Sequence, residues 1–279
     1  MYPVGLHAFG FMSNHWHGLV TVANAFQLAR FTQRLHSMIG LAVHDLVGWE
    51  GRVLKPASPV VVAADREDAR LKYVLSQGTK EGLVRSPLEW PGLNSARALC
   101  GKEELVGEWF DRTLANRLGF TTGRRKMSAE DERKLWQRYP ITLTPLPSWQ
   151  GLTTQQMLER ANALIREIES DAVAQHARPL GPSRVIAQNP LHCAEKLMRR
   201  RRVPVIHTNR RDVRDAYCEQ RNAVGNEYRT ASHRLRRGGQ SVVPASCFPP
   251  VAAFSTERVQ IVARAVSAGA TPDSDDEEG

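Results

Sequence analysis

The stretch M-S-N-H-W-H-G-L-V, residues Met12–Val20, places His15 and His17 one residue apart in an apolar run. The flanking residues are rich in aromatic and β-branched side chains, which predicts strand on either side. Because side chains alternate along a strand, both imidazoles are expected on one face and Trp16 on the other. Two imidazoles can converge on a divalent cation, but an ion that activates phosphate usually also binds a hard oxygen. The pair therefore predicts a third ligand elsewhere.

The same pattern also fits two half-buried histidines that hydrogen-bond to backbone. The other seven of the nine histidines stand alone in the sequence and are assigned no role. A zinc hydrolase would need a third ligand and a nearby carboxylate base, and no H-E-x-x-H pattern is present. The histidine pair is thus a candidate metal site with a structural alternative.

Composition favours a polyanionic partner. The chain has 279 residues, 42% of them hydrophobic, which is enough for a globular core. Its formal net charge is +9, and without the five acidic residues of the tail Asp273–Glu278 it would be about +14. Nucleic acid is the commonest partner of so basic a protein.

Localisation is predicted from what the sequence does not contain. The four cysteines are widely spaced, which indicates reduced thiols. No secretory signal opens the chain and no eighteen apolar residues run together, so we expect a cytoplasmic, nucleoid-associated protein with no membrane partner.

Apolar spacing predicts a helix from Asn24 to about Gly48, a short strand at 60–62 and a second helix at about 66–77, capped by Asp65. On the second helix Tyr73 and Gln77 are four residues apart and share a face. Gln77 offers the uncharged oxygen that the histidine pair lacks, and Tyr73 offers a nucleophile. A tyrosine in a short helix is also commonly a core residue. Beyond residue 100 the chain is predicted to be mainly helical, with helices at 102–118, 128–138 and 154–170.

The segment from Lys196 to Arg237 holds thirteen basic and four acidic side chains. Apolar residues from Val213 to Leu235 recur at threes and fours, which predicts a long helix with one packed face and one arginine face. Four consecutive arginines repel one another unless anions neutralise them, so phosphate contact is favoured over a merely solvated face. The candidate nucleic-acid-binding residues are Arg199, Arg200, Arg201, Arg202, Arg210, Arg211, Arg234, Arg236 and Arg237.

Over about residues 5–100 the sequence resembles the Y1 family of HUH transposases, which includes the insertion-sequence 200 type and the REP-associated tyrosine transposases. The family strand carries His-hydrophobic-His after M-x-N-H, as in Met12–His17. Its later helix typically reads Y-h-x-x-N-P-V-x-A-G-L-V, against Y-V-L-S-Q-G-T-K-E-G-L-V in Tyr73–Val84. The family's tryptophan-proline matches Trp90-Pro91, and a weaker similarity continues to Phe248-Pro249-Pro250.

This resemblance implies metal ligands at His15, His17 and Gln77, with Mg²⁺ or Mn²⁺ as cofactor, and a nucleophile at Tyr73. Gln replaces the more usual Asn at Gln77, a mild departure. The implied reaction is DNA transposition: cleavage and transfer of single-stranded or hairpin DNA through a 5′-phosphotyrosine, by a possible homodimer. The alternative is an inactive or domesticated DNA-binding protein derived from such a transposase.

The resemblance also implies an α+β fold with a ferredoxin-like antiparallel sheet. Only fourteen residues precede His15, so the first strand and helix of that fold are expected to be missing. The predicted domains are an incomplete catalytic domain at 1–99, a helical, arginine-rich extension at 100–254 and an acidic, disordered tail at 255–279.

Overall fold

The structure is a computed structural model that describes residues 4–49, 51–120, 127–189, 205–239 and 241. It is an α+β protein with small two-stranded sheets. The described residues form two compact units, one within the ranges 1–4, 22–61 and 203–279 and the other within the ranges 5–21 and 62–202. These units alternate along the chain, so they do not coincide with the predicted ranges 1–99 and 100–254. The predicted tail 255–279 lies outside the described residues.

The secondary-structure elements are named here in chain order. The strands are β1 (Gly5–Phe11), β2 (Trp16–Thr21), β3 (Val61–Val62), β4 (Val106–Phe110), β5 (Trp136–Pro140) and β6 (Ile206–His207). The helices are α1 (Ala25–Val47), α2 (Glu67–Leu75), α3 (Gln77–Lys80), α4 (Ala96–Leu99), α5 (Arg112–Arg117), α6 (Ala129–Leu135), α7 (Thr154–Gln175), α8 (Pro182–Ile186) and α9 (Arg211–Arg236). None of the helices in the described ranges has both the length and the apolarity of a membrane span.

The unit that contains α1 and α9 confirms two predictions. The Asn24 side chain accepts a hydrogen bond from the backbone N–H of Gln27, and α1 ends at Gly48, whose φ of 63° few other residues adopt. In α9 the predicted apolar stripe is half-buried at Val213, near the start of the helix, and fully buried at Leu235, near its end, whereas the arginines of the helix are exposed. The amphipathic spacing thus identified the packed face of α9 correctly.

The other unit is built around one hydrophobic cluster. Strand β1, helices α2 and α4, the 146–149 segment and α7 all contribute buried side chains to it, among them Leu71 and Ile168, each about 1% exposed. Replacing a side chain of this kind by alanine costs about 2–5 kcal/mol. Residues on both sides of the predicted domain boundary after residue 99 therefore belong to one core.

Strands β1 and β2 form an antiparallel hairpin whose turn contains His15. Gly10 pairs with His17 and Phe11 with Trp16, and the backbone N–H of Met12 donates to the carbonyl of His15 at 2.8 Å. On the other edge of β1, the isolated bridge between Gly10 and Asn94 adds a third extended segment. Strand β1 thus has a partner on both of its edges.

Three sequence predictions need correction. Residues 102–118 are not one helix, because Val106–Phe110 forms β4 and pairs with β5, and only Arg112–Arg117 is helical. The predicted helix at 128–138 ends at Leu135, where β5 begins. Asp65 does not cap α2, since a one-turn 3₁₀ helix, Ala64–Arg66, precedes it. In the first two cases strand pairing over long sequence separation overrides the local apolar spacing.

Candidate active site

The hairpin brings the two predicted histidines together. His15 lies in the turn immediately before β2, and His17 is the second residue of that strand. Their ring centroids are 5.1 Å apart, with the rings nearly perpendicular. Trp16 between them stacks on Phe11, with centroids 5.8 Å apart. The alternation predicted from the sequence therefore holds, although His15 itself is outside the strand.

His15 has a hydrogen bond that fixes its tautomer. Its Nδ1 lies 2.6 Å from Oδ1 of Asn14, and an amide oxygen can only accept, so Nδ1 carries the proton. The lone pair of the neutral ring is then on Nε2. A ligating histidine commonly donates its other ring N–H to an oxygen in this way. Asn14 thus orients the His15 ring in the way that a metal ligand would require.

Gln77 lies against the histidine pair because α2 and α3 are two short helices in series. Its Nε2 donates to the carbonyl of Tyr73 at 2.6 Å, and that carbonyl also accepts from the Ser76 hydroxyl. With the amide nitrogen used in this way, the remaining polar atom of the nearly buried side chain is Oε1. The backbone of α2 therefore orients the amide oxygen of Gln77.

The electrostatics of His17 agree with that orientation. Burial first, and then the charges of His15 and Lys80, lower the pKa of His17 below its ordinary value. A hydrogen bond to Gln77 acts in the opposite direction, as expected where the ring N–H donates to an amide oxygen. His17 is therefore held neutral near pH 7, the form in which imidazole binds a metal.

Tyr73 completes the group. Its ring lies edge-on to His17, with centroids 5.3 Å apart, and is partly exposed. The guanidinium carbon of Arg70 is 5.0 Å from the Tyr73 ring centroid and the ammonium of Lys80 is 5.4 Å from it. The predicted nucleophile, both histidines and the predicted third ligand thus meet in one place.

The opposite face of α2 is attached to the core. Lys72 pairs with Glu167 at 3.1 Å and with Asp171 at 2.9 Å on α7, and the Trp149 indole N–H donates to Asp68 at 2.7 Å. Leu71 on the same side is buried. Because these contacts hold one face of α2 against α7, the face with Tyr73 is turned towards the hairpin.

Trp90 connects the hairpin to α3. Its indole N–H donates to the carbonyl of Phe11 at 3.0 Å, just before the histidine turn. A Cβ placed on Gly78 would lie 2.7 Å from the Trp90 ring, and one placed on Gly92 would lie 2.6 Å from its indole nitrogen. Glycine at both positions lets the tryptophan lie flat between them. This packing sets the distance between the turn and the helix that carries Gln77.

The donors present fit a divalent cation. Within the described part of the chain no three histidine, cysteine, aspartate or glutamate side chains form a cluster. The amide oxygen of Gln77, a donor of another type, lies beside His17. Two imidazole nitrogens and one amide oxygen suit Mn²⁺, and Mg²⁺ can be held by the same set with water completing its octahedron.

The remaining predicted residues are distributed differently. Arg210, Arg211, Arg234, Arg236 and Arg237 are exposed at the two ends of α9. Arg210 is paired with Asp212 and Arg211 with Asp215, whereas after Glu227 the helix contains no acidic residue. The run Arg199–Arg202 lies outside the described residues.

Sequence reasoning missed Arg70, Lys80 and Asn14. A signal was present for the first two, because Arg70, Tyr73, Gln77 and Lys80 follow one another at spacings of three, four and three, which places them on one helical face. Asn14 belongs to the M-x-N-H pattern but was assigned no function. His7, which was also assigned none, is a buried residue whose ring contacts the Thr144 carbonyl and the Thr21 hydroxyl.

No model of a protein family, no curated protein and no solved structure matches the chain. The case for its function therefore rests on the geometry of this site and on the sequence pattern.

Proposed function

We propose that this protein cleaves and rejoins single-stranded DNA by tyrosine transesterification, as HUH transposases do, and so acts in DNA transposition. The observation that supports the proposal best is the convergence of Tyr73 and Gln77 with the histidine pair of the β1–β2 hairpin. A metal site alone would not need a partly exposed tyrosine beside it. A merely packed tyrosine would not need two histidines and an oriented amide.

In the proposed reaction Tyr73 is the nucleophile. Its phenol oxygen attacks the scissile phosphorus, the bond from phosphorus to the 3′-oxygen breaks, and a 5′-phosphotyrosine forms. The phenol proton is lost to water, and the departing 3′-oxygen takes a proton from water. A Mg²⁺ or Mn²⁺ bound to His15, His17 and Gln77 would polarise the scissile phosphate. Since an ordinary phenol has a pKa near 10, positioning of the substrate must also contribute to the rate.

The proposal extends to the fold and the partner. Strands β1 and β2 and the segment at Asn94 are compatible with part of a ferredoxin-like antiparallel sheet. Exposed arginines on α9, where no acidic residue follows Glu227, suit a DNA backbone. DNA as the partner would make the protein nucleoid-associated, and the resemblance to HUH transposases adds the expectation of a homodimer.

The experiment that tests the proposal is covalent trapping. The purified protein is incubated with Mg²⁺ or Mn²⁺ and labelled single-stranded DNA from around its own gene, and a denaturing gel is examined for a protein–DNA band. We expect a metal-dependent band that disappears in Tyr73→Phe. The matched control is Tyr217→Phe, because Tyr217 is a half-buried tyrosine of α9 that lies outside the proposed site.

A band that persists in Tyr73→Phe would exclude Tyr73 as the nucleophile. If no band forms although the DNA is bound in a salt-sensitive manner, the second candidate, a DNA-binding protein without nicking activity, would be favoured. The exposed basic face of α9, which needs no metal, is the observation that supports that second candidate.

A further inference from the structure

The face of α2 and α3 that carries Tyr73 has a cation on either side of it. Arg70 is one turn before the tyrosine and Lys80 is two turns after it. Both side chains lie over the Tyr73 ring, with the guanidinium carbon of Arg70 at 5.0 Å and the ammonium nitrogen of Lys80 at 5.4 Å from its centroid. Two positive charges are therefore held together over the group that is proposed to attack a phosphate.

These cations differ from the one on the opposite face of the helix. Lys72 is neutralised by Glu167 and Asp171. Lys80 is exposed and forms no ion pair with a carboxylate in the described ranges of the chain. Burial and the charge of Arg66 lower the pKa of Arg70, so the protein environment disfavours its positive charge. An anion bound between Arg70 and Lys80 would give Lys80 a partner of opposite charge and would favour the charged form of Arg70.

We propose that Arg70 and Lys80 form a phosphate clamp over Tyr73, in which Lys80 binds the scissile phosphate and Arg70 binds the phosphate next to it. This inference rests on the proposed function, because the phosphates are those of the DNA that Tyr73 attacks. Lys80 receives the scissile phosphate because it lies on α3 one helical turn from Gln77, a candidate metal ligand. Arg70 is at the other end of the face and is left for the neighbouring phosphate.

The chemistry of the two side chains suits these tasks. A guanidinium can donate two parallel hydrogen bonds to one phosphate, and an ammonium acts as a compact charge that can follow the phosphate through the reaction. Negative charge on the non-bridging oxygens is stabilised most where cations are already in place. A cation–π contact at a partly exposed site is weaker than a charge-assisted hydrogen bond, so an incoming phosphate can draw both cations from the ring.

The clamp can be tested without any cleavage. In the full chain carrying Tyr73→Phe, which keeps the ring and removes the nucleophile, binding of inorganic phosphate is followed by ³¹P NMR in the absence of metal. We expect Lys80→Gln and Arg70→Gln each to weaken binding about tenfold, and Lys80→Arg to restore most of the loss. The control is Lys102→Gln, an exposed lysine of the same unit, which should bind phosphate as the parent does. Equal affinity in Lys80→Gln and Lys102→Gln would overturn the clamp.

A second measurement separates this inference from the proposed function. In the protein with Tyr73 intact, the rate of covalent adduct formation at saturating single-stranded DNA should fall at least about tenfold in Lys80→Gln and recover in Lys80→Arg. If the adduct forms at the same rate in Lys80→Gln, the clamp is wrong although the tyrosine chemistry stands. If no adduct forms in any variant but phosphate still requires Arg70 and Lys80, the anion site stands and the cleavage reaction does not.

Thermal unfolding of each variant shows whether the cations act only by packing on the ring. Because Lys80 is exposed, Lys80→Gln should unfold within a few degrees of the parent while losing phosphate binding. A large loss of stability with unchanged phosphate affinity would assign Lys80 a structural role and contradict the clamp.

Discussion

Two helical regions of this chain carry tyrosines and cations but arrange them in different ways. On α2 and α3, Tyr73 shares its face with Arg70 and Lys80, and both cations lie over its ring. On α9, Tyr217 and Tyr228 belong to the partly buried stripe, and the arginines project from the rest of the helix. The first arrangement suits chemistry on an anion, whereas the second separates packing from charge and suits binding alone.

The contrast has a physical origin in what each helix packs against. The core face of α2 is held by Asp68, Leu71 and Lys72, so Tyr73 is turned towards the histidine hairpin. In α9 the apolar stripe is the packed face, and its tyrosines are used to fill it. The same residue types therefore have different surroundings according to which face is buried.

The largest expected effect is obtained by removing a metal ligand. His17→Ala should reduce adduct formation by more than about a hundredfold, because the imidazole nitrogen of His17 is proposed to hold the ion that activates the phosphate. Affinity for single-stranded DNA without metal should change far less, and both quantities can be measured on the same oligonucleotide. An unchanged adduct rate would remove His17 from the site and weaken the contrast with α9.

Removing positive charge from α9 should affect DNA binding, which the loss of a metal ligand should change little. With Arg229, Arg234 and Arg236 replaced by glutamine, we expect weaker DNA binding and a shallower dependence of log affinity on log salt, by about one unit of slope for each arginine that contacts a phosphate. Fluorescence anisotropy at several salt concentrations measures this slope. Lys134→Gln is the control, since Lys134 is an exposed cation already paired with Glu130 on α6. Equal slopes in the control and the triple variant would exclude α9 from the DNA interface.

A third comparison uses one glycine from each region. Gly78→Ala would place a Cβ 2.7 Å from the Trp90 ring and should destabilise the protein by about 1–3 kcal/mol. Gly225→Ala on α9 meets no atom within 4 Å, so it should be neutral or stabilise by up to about 1 kcal/mol through helix propensity. Urea unfolding at matched concentrations compares the two. Equal stability of both variants would show that the Trp90 ring can move aside at little cost in free energy. Trp90 would then not fix the spacing between the histidine turn and α3.

The sequence predicted which residues of the candidate site lie together better than it predicted the fold. The histidine pair follows from a two-residue period, and the shared face of Tyr73 and Gln77 follows from a four-residue spacing, and both are local properties that later packing preserved. The same is true of the cap at Asn24 and the stripe of α9. What these patterns share is that each can be read from one continuous segment.

The missed features depend on contacts that are distant in the sequence. Val106–Phe110 is too short for its period to distinguish strand from helix, and its partner Trp136–Pro140 comes more than twenty residues later. Lys80 was overlooked because the helix was expected to stop at Gly78, whereas Gly78 lies inside α3 and is required by Trp90. A glycine that permits close packing is indistinguishable in sequence from one that ends a helix.

The smallest expected effect is a change in the pKa of His17, measured by ¹H NMR of the ring protons in metal-free protein. The charge of Lys80 contributes to the lowering of this pKa, after burial and His15, so Lys80→Gln should raise it towards the ordinary 6.5 while Lys102→Gln leaves it in place. A lowered folded-state pKa gives stability that is complete above 6.5 and is lost as the pH falls through the folded value, since the unfolded chain takes up the proton first. Lys80→Gln should therefore lose less stability than the parent in that acidic range. A pKa of His17 that does not move would mean that the ammonium of Lys80 lies farther from the histidines than its contact with Tyr73 implies, and would count against placing nucleophile, ligand and cation on one face.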